Sequence, residues 1–144
     1  SQCMFDTVVI ATDGSTSGRR AVTVALDVAR RFEASVHALY VVDETQVDGL
    51  PEDVHDDVRE ALEAQADESL DAVETAADQP VTVAVREGDP ATEIIDYADD
   101  TDADMVATGT RGRHGEHSFI VGSVAETVVR DCPVPVLTVR QLEA

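Results

Sequence analysis

The chain contains no lysine and no tryptophan, so its ten strongly basic side chains are all arginines. A P-loop requires a lysine that reaches the β- and γ-phosphates, and no GxxxxGK pattern occurs in the sequence. The missing lysine also argues against a phosphoacceptor receiver domain of similar topology. No GxGxxG pattern follows the first apolar run, which argues against a dinucleotide site.

Cysteines and long apolar runs are also scarce. Cys3 and Cys132 lie far apart and belong to no CxxC pair, which excludes a disulfide framework and a cysteine metal site. We expect Cys132 to be a small buried apolar residue. No apolar run approaches the ~20 residues of a membrane span, and the N-terminal residues lack the features of a signal peptide. We therefore expect a cytoplasmic protein with no membrane partner.

Acidic residues are abundant, with 30 Asp and Glu against 10 Arg and a formal net charge of −20. Such a surface repels nucleic acid, so we expect no nucleic-acid partner. The acidic residues are spread along the whole chain, which argues against a single acidic binding tail. At molar salt the Debye length falls to ~3 Å and this repulsion is screened. We interpret the composition as halophilic, an adaptation to a salt-rich cytoplasm.

Hydropathy alternates between short apolar runs and amphipathic segments. The apolar runs predict five strands, at 7–12, 35–42, 81–85, 104–109 and 134–139. Helical spacing predicts a helix after the first strand, a long acidic helix over about 53–78, a helix beginning at Asp89-Pro90, and a short one near 122 or 123. We expect residues 43–53 to form a loop. In the helices, Phe32 and Val124 are expected to face inward.

Strands that alternate with helices specify an α/β fold with a parallel sheet. A chain of 144 residues, 43% of them hydrophobic, suits one domain over residues 1–144. We predict a flavodoxin-like three-layer sandwich, a five-stranded parallel sheet in order 3-2-1-4-5 with four helices. Ligands of such sheets bind beyond the carboxyl ends of the strands, where the strand order reverses. The prediction therefore brings Asp13 close to Gly109.

The segment after the fourth strand, "GTRGRHGEHSFIVGS", combines glycines with arginines. Gly109 and Gly112 allow the backbone to approach a ligand closely. Gly122 and Ser123 open the final helix, whose first N–H groups can bind a phosphate. An alternative stays open, in which the segment is only a connecting loop and Ser123 is a helix N-cap. Asp13 likewise suits either a ligand contact or a cap for the first helix.

The glycine spacing resembles a known family signature. Gly109-x-x-Gly112, nine further residues and then Gly122-Ser123 reproduce the G-2x-G-9x-G pattern, followed by Ser or Thr, of the universal stress protein family. "VVIATDGSTSGRRAV" resembles the opening of that family, and "GSVAETVVRDCPVPVLTV" resembles its final helix and strand. The resemblance extends over residues 4–140 and implies the ATP-binding branch of the family.

The resemblance implies an adenine-nucleotide site and a homodimer formed through the C-terminal strand. Asp13 would contact the ribose or phosphates, and the backbone of Val41 would meet the adenine edge. Glu116 would repel a triphosphate, so Mg²⁺ is expected to accompany ATP. The residues that the resemblance assigns to the pocket are Ala11, Thr12, Asp13, Val41, Gly109, Thr110, Arg111, Gly112, Gly122, Ser123 and Val124.

Three functions follow from the resemblance. The first is an ATP-binding regulatory module of the stress response. The second is a slow adenine-nucleotide hydrolase, although no catalytic base or arginine finger is evident in the sequence. The third is a structural dimerisation module with a non-functional pocket. The chain is therefore not expected to be an efficient enzyme.

The acidic composition predicts that stability depends on salt. We expect the chain to unfold when salt is lowered below about molar concentration, because carboxylate repulsion is then unscreened. Circular dichroism during dialysis from molar KCl into dilute buffer measures this. A chain that stays folded and dimeric in dilute buffer contradicts the halophilic interpretation.

Overall fold

A computed structural model describes residues 5–14, 16–110 and 122–140, without the side chains of residues 16 and 17. The strands are β1 (Thr7–Ala11), β2 (Ser35–Asp43), β3 (Val81–Gly88), β4 (Met105–Gly109) and β5 (Val136–Val139). The α-helices are α1 (Thr16–Phe32), α2 (Thr45–Asp48), α3 (His55–Ala76), α4 (Pro90–Asp100) and α5 (Ser123–Asp131). A 3-10 turn, Glu52–Val54, precedes α3.

The five strands form one sheet in the order β3-β2-β1-β4-β5, and every pairing is parallel. This confirms the predicted flavodoxin-like fold. The central strand β1 pairs with β2 on one side, where Val8 is opposite Val36. On the other side it pairs with β4, where Val8 is opposite Met105. The strand order therefore reverses between β1 and β4.

Alternating side chains of β1 divide the core into two layers. Val8 and Ile10 are fully buried in a cluster with side chains of α1 and α3. Val9 and Ala11 lie in a second cluster with side chains of α4 and α5. Because helices cover both faces, the central strands are mostly apolar, as is typical of buried parallel strands.

Several local expectations differ from the structure. The segment expected to be a loop contains α2 and the 3-10 turn, because Val47 is fully buried and anchors a helical turn. β3 continues to Gly88, since Arg86 to Gly88 extend the pairing with β2. Phe32 and Val124 do not face inward: their exposed fractions are 38% and 37%. Phe32 instead makes an edge-to-face contact with Phe5, with ring centroids 5.1 Å apart.

The start of α4 follows the predicted capping pattern. Asp89 has an extended backbone, and its carboxylate accepts hydrogen bonds from the Thr92 amide at 3.1 Å and the Thr92 hydroxyl at 2.8 Å. Pro90 occupies the first helical turn, where its missing N–H has no helical acceptor to lose. The cap and the proline together set the start of α4.

We expect Asp89→Ala to lower the free energy of unfolding by about 1 kcal/mol, because the substitution removes the cap. Urea unfolding in molar KCl measures the change. Asp96→Ala is the control, since it removes one exposed carboxylate from the same helix without touching the cap. Equal losses in the two variants would show that Asp89 contributes only charge.

Candidate functional site

The candidate site begins where β1 and β4 end together. Ala11, the last residue of β1, is opposite Thr108, which is one residue before the end of β4. Ala11 and Thr12 are buried, with exposed fractions of 8% and 7%. The Thr12 amide donates to the Leu39 carbonyl at 2.9 Å, so the β1–β2 ladder ends there too. A crevice therefore opens beyond β1, with β2 and β4 on either side.

A tight turn connects this crevice to α1. Gly14 has φ of +79°, a left-handed conformation that favours glycine. Its amide donates to the Thr12 hydroxyl at 3.3 Å. Asp13 is half-buried within the turn, at the carboxyl edge of the sheet. Ala11, Thr12 and Asp13 thus lie at the carboxyl end of β1.

The glycine segment is closed at its base. The Thr110 amide donates to the Val139 carbonyl at 3.0 Å, which continues the alignment of β4 with β5. The Gly122 amide donates to the Thr110 carbonyl at 2.5 Å. Residues 110 and 122 are therefore in contact, and Thr110 is buried. Arg111 and Gly112, two of the predicted site residues, lie outside the described residues.

The start of α5 lies at this closure. Gly122 is the N-cap residue, with φ of −65° and ψ of 159°, and Ser123 is the first helical residue. The alternative that Ser123 is the N-cap is therefore wrong. The first helical bond runs from the Glu126 amide to the Gly122 carbonyl at 2.9 Å. The backbone N–H groups in the first turn of α5, before Glu126, have no acceptor within the helix. Such groups can bind an anion. Val124 is exposed and does not line the core.

Val41 lies on the other side of the crevice, on β2. It pairs with Arg86 of β3 and is half-buried against the cluster that includes α4. Leu39 directs its carbonyl toward β1, and backbone polar groups of alternate residues point the same way. The backbone of Val41 therefore points past the end of β1. Two strand spacings, about 10 Å, separate Val41 from β4.

A polar network that the sequence did not predict holds α4 against β2 and β3. His37 Nδ1 lies 2.9 Å from the Tyr97 hydroxyl, and the Arg86 guanidinium carbon lies 4.9 Å from the centre of the Tyr97 ring. Arg86 also pairs with Asp100 at 2.9 Å. That hydrogen bond raises the pKa of Arg86, and burial raises the pKa of Tyr97. His37 is thus a packed side chain that pairs with Tyr97.

Gly88 is the last residue of β3 and pairs with Asp43 at the end of β2. Its carbonyl accepts from the Glu44 amide at 3.2 Å. Its φ is +153°, and a Cβ at this position would lie 2.9 Å from Glu93 Oε2. The positive φ and the narrow space beside Glu93 together favour glycine at this position.

Two further features bear on the kind of site. Across residues 5–14, 16–110 and 122–140, no group of three His, Cys, Asp or Glu side chains is arranged to hold a metal ion. Within the same ranges, no helix has the length and apolarity needed to cross a membrane. The fold is a parallel α/β domain in which the start of α5 lies at the end of β4, at the point where the strand order reverses.

Comparison with known proteins identifies the family. The model of the universal stress protein family matches residues 4–140. Universal stress protein MJ0531 of Methanocaldococcus jannaschii is 35% identical over 142 residues, covering 96% of this chain and 84% of that protein. The chain belongs to the universal stress protein family.

Solved structures agree with this assignment. Universal stress protein UspA from Lactobacillus plantarum is 28% identical to this chain, with a TM-score of 0.80. The match covers 94% of this chain and 98% of the UspA chain. A universal stress protein solved in complex with cAMP is 25% identical to this chain, with a TM-score of 0.69. The match covers 94% of this chain and 97% of that protein's chain.

The contact between Gly122 and Thr110 is testable with two substitutions. Gly122→Pro suits the φ of −65° but removes the amide that donates to Thr110, whereas Gly122→Ala retains it. We expect the free energy of unfolding of the proline variant to be about 1 kcal/mol lower than that of the alanine variant. Urea unfolding in molar KCl compares them. Equal stabilities would show that this hydrogen bond does not hold α5 in place.

Proposed function

We propose that this universal stress protein binds ATP and acts as a nucleotide-dependent regulatory module. The observation that carries the proposal is the contact between Gly122 and Thr110. It places the start of α5 at the end of β4, across the crevice from Asp13. An anion in this crevice would meet N–H groups of the α5 first turn together with the glycine segment.

The adenine would lie on the opposite side, against β2. The Val41 N–H and carbonyl, which point past the end of β1, offer one donor and one acceptor to the edge of a base. The half-buried Asp13 carboxylate, between Val41 and Gly122, suits a ribose hydroxyl or water bound to Mg²⁺. The proposed pocket thus orders base, ribose and phosphates from β2 to β4.

The family comparison supports an adenine nucleotide as the ligand. A relative in the family has been solved in complex with cAMP, which shares its adenine and ribose with ATP. We propose ATP with Mg²⁺ for this chain because its glycine segment offers groups for several phosphates. Arg111 and Gly112 are included in the proposed phosphate site by their place in the motif.

The regulatory part of the proposal includes a homodimer formed through β5. This strand is at one edge of the sheet, and within the described residues it pairs only with β4. An open edge can pair with another strand. Thr110 donates to Val139 of β5, so a dimer contact there would lie one hydrogen bond from the glycine segment.

Nucleotide retention is the direct test. Protein purified in molar KCl is denatured, and the small molecules that it releases are separated by chromatography. In a second experiment, folded protein without bound nucleotide is titrated with ATP and Mg²⁺. Near-stoichiometric adenine nucleotide or saturable binding supports the proposal. A protein that is empty and does not bind ATP at high salt contradicts it.

Two glycine substitutions test the phosphate site. We expect Gly109→Asp to abolish detectable ATP binding by placing a carboxylate beside the phosphates, and Gly122→Val to do so by adding bulk at the α5 start. The valine fits the extended backbone at Gly122. Calorimetric titration with ATP and Mg²⁺ measures the loss.

Ala64→Asp is the matched control for the aspartate variant. Ala64 is exposed on α3, so this change adds the same charge away from the crevice. Far-ultraviolet circular dichroism verifies the fold of all three variants. Wild-type ATP affinity in a folded Gly109→Asp or Gly122→Val variant would overturn the phosphate-site assignment.

A further inference from the structure

The second edge of the sheet, β3, carries an exposed apolar face. Within the described residues, β3 pairs only with β2. Val83 and Val85 have exposed fractions of 41% and 45%, and no other large hydrophobic side chain in the described strands is exposed to this degree. Residues 81–85 contain no charge and no proline, the features that usually keep an edge strand from pairing. Such an edge is a template for a further strand.

Both valines lie on the sheet face that α3 covers. In the pairing with β2, Val83 is beside Ala38 and Val85 is beside Tyr40, and both β2 residues are buried in the cluster that includes α3. α3 packs mainly over β2, so it leaves this face of β3 open. On the opposite face, α4 packs against both strands. The exposed apolar strip is therefore confined to the α3 side of the edge.

One ion pair marks the side of α3 that is turned toward this strip. Arg59 Nε and Nη2 lie 3.1 and 3.0 Å from the two carboxylate oxygens of Glu87, close to the end of β3. Glu63, Asp67 and Glu74 follow Arg59 at helical spacing, which places them on the same side of α3. The hydrogen bond with Glu87 raises the pKa of Arg59, and the charge of Glu63 adds to this shift, which agrees with that placement.

These three carboxylates have no cationic partner in the described part of the chain. Glu63, Asp67 and Glu74 are exposed, and none of the ion pairs among the described residues includes them. The nearby Arg59 is already bound to Glu87 on both guanidinium edges that it presents there. The β3 edge thus combines an apolar strip with an acidic helix side above it.

We propose that the β3 edge binds an extended segment of a partner protein in which lysine or arginine occupies alternate positions. The segment adds a strand beside β3 through backbone hydrogen bonds. Its alternate side chains lie on the α3 face, because successive side chains of a strand point to opposite faces. There their aliphatic stems cover Val83 and Val85 while their charged ends reach the carboxylates of α3. This inference goes beyond nucleotide binding and does not depend on it.

A second copy of this chain does not supply such a segment. The chain contains no lysine, and Arg86 is the one arginine within its described strands. Antiparallel pairing of two β3 edges would also turn the acidic sides of two α3 helices toward each other, on chains that each carry a formal net charge of −20. Charge complementarity therefore favours a different, basic protein as the occupant.

The salt-rich setting makes the spacing of the basic residues decisive. At molar salt the Debye length is ~3 Å, so a cation that does not touch a carboxylate gains little from it. Backbone pairing and apolar contact with the valines are not screened. Binding in molar KCl therefore requires basic side chains at alternate positions, whereas general attraction to an acidic surface would not distinguish their order.

The probes are two synthetic peptides with blocked ends, each as long as β3, which has 8 residues. In the first, lysine alternates with threonine, which favours extended structure. The second has the same composition with all lysines in one half, so it turns half of them away from α3. Calorimetry in molar KCl gives both dissociation constants. We expect the alternating peptide to bind at least about fivefold more tightly.

Two double variants test the acidic side of α3. Glu63→Gln with Asp67→Asn removes two of its carboxylates, and we expect the alternating peptide to bind about fivefold more weakly. Asp57→Asn with Glu68→Gln is the matched control. Glu68 follows the buried Ala66 by two positions, so it lies on the outer side of α3, and Asp57 is three turns away on that side. This control should change the affinity by less than about twofold.

A third pair of variants tests the strand itself. Val83→Arg places a cation against the lysines of the probe, and we expect it to abolish detectable binding. Ala64→Arg adds the same charge on the exposed outer side of α3 and should retain binding. Far-ultraviolet circular dichroism verifies the fold of all variants, and sedimentation in molar KCl gives their oligomeric state.

The inference is wrong if the alternating peptide shows no saturable binding up to about millimolar concentration, if the two peptides bind equally, or if the two double variants behave alike. A dimer that is present in the wild type and lost in Val83→Arg would identify a second copy as the occupant, which also overturns it. None of these outcomes bears on ATP binding, so the proposed function stands or fails separately.

Discussion

The parallel pairing of β1 with β4 is the interaction on which the rest of the structure depends. It places Ala11 opposite Thr108, so the two strands end side by side. Because β1 continues toward β2 through α1, and β4 continues toward β5 through α5, the chain leaves this point in two directions. The crevice, the turn at Asp13 and the base of the glycine segment follow from that divergence.

Charge imposes the second constraint. A chain with a formal net charge of −20 disfavours an anionic ligand unless positive groups are concentrated near the site. Most described arginines are bound to carboxylates elsewhere, as Arg59 is to Glu87. Backbone N–H groups at the start of α5 carry no formal charge, so they form no ion pairs with these carboxylates. The proposed site therefore relies on helix N–H groups as its described anion-binding groups.

Sequence patterns predicted the strands and the four longer helices because buried parallel strands are nearly continuous in apolar residues, and amphipathic helices repeat every 3.6 residues. They did not predict α2, because this helix has four residues and buries one of them, Val47, and one apolar residue forms no periodic pattern. The inward orientation expected for Val124 was wrong because α5 buries Ala125 and Val128 instead. The narrow space between Gly88 of β3 and Glu93 of α4 depends on two elements and leaves no local signal.

By itself, the sequence determined the order of elements, the family and the residue types available for a phosphate site, because these follow from periodicity and a two-part glycine motif. The tertiary structure decided which of those residues meet. The hydrogen bond from Gly122 to Thr110, and the packing of α1 over β4, join segments distant in the chain. Such contacts arise from the packing of the sheet, since no local preference encodes a distance between separate elements.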